Sequence, residues 1–168
     1  AGPWDVSSEP EAPIAPKGLD PLAREIGAIA LNFPDAVAVL HRNVATDDLR
    51  EPHLRAILGA CYDHLAEGQT PEFSGIAPRL SDRERSLAAG LLLPYDPAPL
   101  PEEARPASWH DRLAGALTRL KRRQWDERSR DYLAALREID AISDPAGHAA
   151  LRAEYLKHLS RRPDPKTR

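Results

Sequence analysis

SWHDRLAGALTRLKRRQWDERSRDYLAALREIDAISDPAGHAALRAEYLKHLSRR, residues 108–162, is the stretch whose reading decides the fold. Ser108 is a favourable N-cap residue, and the next proline is Pro145. A run of about 35 residues without a breaker, with apolar side chains at helical spacing, predicts one long helix. Asp144 as N-cap and Pro145 at the first helical position then open a second helix that runs to Arg162. Two helices therefore meet at one tight turn. A hairpin this long on so small a chain offers an extended face to a partner more readily than a pocket to a substrate.

The long helix changes face part-way along. Leu113, Ala116, Leu117 and Leu120 form one apolar stripe, whereas Trp125, Tyr132, Leu136 and Ile139 lie on a face rotated by roughly 120–140° from it, at 100° per residue. The change falls at Lys121-Arg122-Arg123-Gln124. The first half is predicted to pack on an N-terminal bundle, and the second on the last helix through Leu151, Tyr155, Leu156 and Leu159.

Working outward, the residues upstream repeat the same punctuation. Asp20 and Pro21 open a first helix whose Leu22, Ile26, Ile29 and Phe33 share a face; Pro34 stops it and starts a short second helix carrying Val37 and Leu40. Thr46 to Arg50 reads as a turn. Pro52 opens a third helix with Leu54, Leu58, Cys61 and Leu65 in a stripe, flanked by Ile57 and Tyr62 and ended by Gly68. Glu72 to Leu80 reads as a short helix or turn. Ser81 with Glu84 is a capping box opening a helix through Leu87, Leu91 and Leu92 that Pro94 ends. Pro94, Pro97, Pro99, Pro101 and Pro106 predict a stiff surface connection. The fold class is all-α. The organisation expected is a Pro-rich disordered arm over 1–19, in which Trp4 is a stray tail aromatic, a helical bundle over 20–120, a C-terminal hairpin over 121–162 and a basic tail over 163–168.

Composition agrees. The 168 residues suffice for one ordinary domain, and Ala and Leu dominate the apolar residues while Val, Ile and aromatics are sparse. The net charge is -3. From Arg105 onward, however, 15 Lys/Arg face 9 Asp/Glu, a net +6, which leaves -9 on the residues before it. An acidic front and a basic rear are distinct surfaces for partners. Cys61 is the single cysteine, so no internal disulfide is open to it, which fits a reducing compartment. No stretch reaches the ~20 apolar residues of a membrane span, and no signal-peptide pattern opens the chain, so a cytoplasmic location is expected. The chain begins at Ala1 without any Met, which reads as a segment cut from something longer.

The motifs of catalysis are missing: there is no phosphate-cradling Gly-rich loop ending in Lys-Ser/Thr, no nucleophile elbow and no His-Glu-x-x-His. Cys61 and His64 have a spacing that two metal ligands could use, yet no further ligands accompany them, and Cys61 belongs to an apolar stripe; a core cysteine is the expectation. Asp47-Asp48 and Glu102-Glu103 read as solvated loop acids, and His148 and His158 as surface residues. Trp109-His110-Asp111 beside Ser108 reads as a helix start. No catalytic residue, metal or cofactor is assigned. The run Lys121, Arg122, Arg123 with Trp125 could hold single-stranded nucleic acid, but Asp126, Glu127 and Asp131 interrupt it at helical spacing, which implies weak or no direct DNA binding.

The order of elements, with LAREIGAIALNFPDA at 22–36, resembles the helicase-binding C-terminal domain of bacterial DNA primase, in which an apolar helix ends in an Asn-x-Pro pattern before a short helix. Leu54 to Leu65 is similar to that family's central helix, and Leu113 to Ile142 with Leu151 to Arg162 to its long helix and terminal hairpin. The likeness covers residues 20–162. The N-terminal domain of the replicative helicase shares the architecture and is the rival, but would be followed by a linker helix and a motor with a P-loop. The resemblance implies a non-catalytic domain that docks primase onto the N-terminal domains of the hexameric helicase, with catalytic parts, a zinc ribbon among them, elsewhere. It further implies a bundle able to receive the acidic tail of single-strand-binding protein. It implies that the terminal hairpin tip and last helix make the main helicase contact, by position through Lys157, His158, Arg161 and Arg162, with Tyr155 or Leu156 as apolar anchors.

Overall fold

A computed structural model describes residues 18–92 and 108–163. The Pro-rich arm up to Lys17 with Trp4, the connection through Pro94 to Pro106 with Glu102-Glu103, and the basic tail from Asp164 lie outside the described residues. Among those described there are seven α-helices and no strand: α1 (Pro21–Asn32), α2 (Pro34–Asn43), α3 (Pro52–Ala66), α4 (Phe73–Ile76), α5 (Asp82–Leu91), α6 (Trp109–Glu138) and α7 (Pro145–Ser160). Single 3-10 turns at Thr46–Asp48 and Ala77–Arg79 join them. The protein is all-α.

The predicted helix starts are physically realised. The Asp20 carboxylate accepts from the Ala23 N–H at 3.3 Å, with Pro21 behind it. Ser81 and Glu84 close a reciprocal capping box, the Ser81 N–H donating to Glu84 at 2.8 Å. Ser108 Oγ accepts from the Asp111 N–H, and Asp144 Oδ1 from Gly147 N–H at 2.9 Å. Each satisfies an amide that the first helical turn leaves orphaned. At the other end of α3, Gly68 takes a φ of 75° and its N–H bonds back to the Leu65 carbonyl, a left-handed cap that only glycine adopts without strain.

The chain divides into two compact units, residues 1–113 and 114–168. The periodicity placed that step later, after Leu120. In the first unit α1 packs on α2, α3 and α5, and α3 also on α2, α4 and α5. Ile26, Ile29, Val37, Leu40, Leu54, Ile57, Leu58, Ile76 and Leu87 are fully buried between them, together with Cys61. The start of α6 is held on this unit by an Arg112–Glu25 ion pair with two hydrogen bonds, at 2.9 and 3.2 Å, and by Trp109 stacked on Phe33 at 6.5 Å. Arg112 also lies over the Phe33 ring.

Asn32 gives the Asn-x-Pro break a physical role. Its side-chain amide donates to the Ala28 carbonyl at 2.8 Å and to the Leu91 carbonyl at 2.9 Å, so one residue at the end of α1 also satisfies the C-terminus of α5. Asn32→Ala leaves the Leu91 carbonyl without that donor and is expected to cost about 1–3 kcal/mol, read as a lowered melting temperature of the full chain. A melt unchanged within error would show that water replaces the amide at no cost.

Candidate docking hairpin

The second unit is built from α6 beyond Leu113 and from α7. Leu113, Ala116 and Leu120 are buried, as their stripe predicts. Beyond them, Trp125, Ser129, Tyr132 and Leu136 on α6, Ile139 just past its end, and His148, Leu151, Tyr155 and His158 on α7 are half-buried positions in register. Their spacings alternate three and four, the pattern of a coiled-coil seam. Three aromatic contacts fill it: Trp125 stacks on His158 with ring centres 4.9 Å apart, and Tyr132 meets Tyr155 at 5.9 Å and His158 at 5.4 Å.

A polar knot closes the open end of this hairpin. Trp125 Nε1–H donates to the His158 carbonyl at 3.2 Å. Ser129 Oγ donates to the Trp125 carbonyl at 2.9 Å and lies 2.8 Å from His158 Nε2, itself 3.2 Å from that same carbonyl. With the hydroxyl proton spent on the carbonyl, the network is satisfied by the tautomer whose Nε2–H donates to Ser129. The Arg162 guanidinium sits 5.5 Å from the centre of the Trp125 ring, at cation–π distance.

This geometry corrects two expectations. His158, read as a surface residue, is turned into the seam because it lies three residues after Tyr155 and seven after Leu151, on their side of the helix. Leu156, read as part of the seam, is rotated about 130° from it and is 56% exposed. Leu159 and Leu133 are also exposed. Of the other residues carried over by position, Tyr155 is half-buried, whereas Lys157, Arg161 and Arg162 are exposed. α7 has no fully buried residue.

At the tip, the Asp140 carboxylate accepts from the Ile142 N–H at 2.9 Å and from the Ser143 hydroxyl at 2.7 Å. Those bonds, the Ile142 N–H first, hold its pKa below the usual carboxylate value. The Asp144 N–H returns to the Asp140 carbonyl at 2.9 Å, and Ile142 is left 90% exposed.

The chain matches no family model, no curated protein and no solved structure. In the basic run, Lys121 and Arg122 are exposed and Arg123 half-buried, but Trp125, the ring a nucleobase would need, is occupied by His158 and Arg162. Ser108, Trp109, His110 and Asp111 form a helix start: Ser108 donates to Asp111, and His110 stacks on Trp109 at 3.6 Å. Cys61 is wholly buried, and burial pushes its thiol up to about 12. His64, which the sequence marks only as a spacing partner of Cys61, is buried at 8% exposure; its ring lies so close to Gly75 that a Cβ there would come 2.6 Å from Nε2. Among the described residues no three His, Cys, Asp or Glu side chains gather into a group able to hold a metal. A shallow cleft of about 320 Å³ lies on the first unit, lined by Pro34, Asp35, Ala38, Leu65 and the loop Gly68 to Pro71. No helix of the described residues is long and apolar enough to cross a membrane.

Proposed function

We propose that this chain is a non-catalytic docking domain, the helicase-binding domain of a bacterial DNA primase, which acts in the cytoplasm to hold primase on the N-terminal domains of the hexameric replicative helicase. The observation that carries the proposal is the hairpin. Its last helix buries no residue fully and keeps Leu156, Leu159, Lys157 and Arg161 exposed, an apolar centre with a basic rim of the kind protein interfaces use. The helix order and the Asn32-Phe33-Pro34 break support the same assignment. In this role the bundle is the mount and the hairpin the arm, and primer synthesis resides in other parts of the parent protein.

Mixing the purified chain with the hexameric helicase tests it. A complex is expected on size exclusion or by calorimetry at tens of micromolar in low salt. Leu156→Asp in the full chain is expected to weaken it at least about tenfold without changing helicity, and removal of residues from Asp144 onward to abolish it. No complex with the intact chain, or binding that survives the truncation unchanged, would overturn the proposal.

A further inference from the structure

The fold gathers the cations of the second unit at one end. Trp125 on α6 stacks on His158 of α7 and donates its indole N–H to the His158 carbonyl, so the residues that precede Trp125 lie beside those that follow Tyr155. Arg162 over the Trp125 ring marks the same register. These two stretches, 118–125 and 155–163, carry seven Lys and Arg and no Asp or Glu. The stretch that joins them, 126–154, carries four Arg against seven Asp and Glu. Asp126, Glu127 and Asp131, which interrupt the basic run in sequence, therefore fall on the tip side of Trp125. On its other side the hairpin sets the cations at the end of α7 beside those of α6.

Helix electrostatics explains only half of this. Lys157, Arg161 and Arg162 complement the carbonyl end of α7. Arg119, Lys121 and Arg122 stand inside the 30-residue α6, where no helix end calls for charge. All six are exposed, and among the described residues no ion pair holds any of them. Crowded cations without counter-charges repel one another, and a polyanion relieves that repulsion. Between Thr118 and Trp125 no apolar side chain is exposed, as insertion into a membrane surface would require. Four of the six are Arg, whose planar fork takes two phosphate oxygens at once. No ring is free to stack on bases, because Trp125 is covered by His158 and Arg162.

We propose that the open end of the hairpin is a nucleic-acid site, in which Arg119, Lys121, Arg122, Lys157, Arg161 and Arg162 grip the phosphate backbone without reading bases. The site goes beyond the docking role and does not depend on it.

The full chain, without any partner, is titrated into a short labelled DNA duplex of arbitrary sequence and followed by anisotropy. Micromolar binding is expected at about 50 mM salt, weakening about 100-fold by about 200 mM with about four phosphates engaged. A single strand of equal length should bind within about tenfold of the duplex. Lys121→Ala combined with Arg122→Ala should weaken binding at least about fivefold at low salt and flatten the log–log salt slope by about 2, and Arg161→Ala should flatten it by about 1. Arg130→Ala, which removes another exposed arginine but one set among the acids of 126–154, should change neither. All these side chains are exposed, so the variants are expected to keep the wild-type circular dichroism. No binding at low salt overturns the proposal, including the case in which acidic peptides or anionic lipid vesicles bind and DNA does not. An equal loss from Arg130→Ala overturns it by moving the site off the open end. A single strand preferred by more than about 100-fold overturns it by showing that bases are held. None of these results bears on the helicase titration, which stands as a separate measurement.

Discussion

Raising the pH from 9 to 11 is expected to cost the bundle about 3 kcal/mol, a large share of the stability of many small domains. The Cys61 thiol ionises near 9.0 when the chain is unfolded, but burial holds it up to about 12 in the fold. Below pH 9 both states carry the proton and the thiol leaves stability unaffected. Above it the unfolded chain sheds a proton that the folded one retains, so stability falls by about 1.4 kcal/mol for each pH unit. Tyr62 acts in the same sense from about pH 10. Its phenol is pushed up by burial first and by Cys61 and Asp48 after it, while its hydroxyl donates to the Val44 carbonyl at 2.8 Å. Denaturant titrations from pH 8 to 11 measure the slope directly. Cys61→Val should delay the decline until tyrosine begins to ionise; a wild-type curve flat to pH 11 would show that these groups reach water without unfolding.

The same residues show what could be read in advance. Cys61 was legible because its neighbours at three, four and seven residues are apolar, and periodicity alone puts it inside. Capped helix starts were legible too: Asp20-Pro21, Ser81 with Glu84, Ser108 and Asp144-Pro145 each combine an acceptor side chain with a position that needs one. Interactions set by distant chain segments were not. Asn32 reaches a carbonyl 59 residues away, and nothing near it announces Leu91 as the acceptor. His64 is buried against Gly75, a pairing visible only once α4 has folded across α3. In the hairpin, hydropathy selects Leu156 over His158, while the three-four register selects His158. Register prevails because Trp125 and Ser129 supply that imidazole with a stack and a hydrogen bond, removing the cost of covering a polar ring.

Trp125→Ala is expected to unlatch the hairpin. The substitution removes the stack on His158, the hydrogen bond to its carbonyl and the aromatic face beneath Arg162, and it opens a void between α6 and α7. Truncating so large a ring costs about 3–5 kcal/mol in a closed core; at this half-buried position, with its polar contacts added, about 2–4 kcal/mol is expected. Since α7 buries no residue fully, that loss falls on a helix with little else to hold it. Amide exchange should therefore accelerate through Pro145–Ser160 and the facing part of α6, while Ile26, Leu40 and Leu58, in the other compact unit, keep their protection. Uniform acceleration over the whole chain would mean that the two units unfold as one. The comparison with Leu156→Asp then separates the two roles of the last helix. A seam residue lowers partner binding by melting the arm, and the loss follows the exchange data. An exposed residue lowers binding with the arm intact. Trp125, Tyr132, Tyr155 and His158 belong to the first kind by their contacts, and Leu156, Lys157 and Arg161 to the second by their exposure.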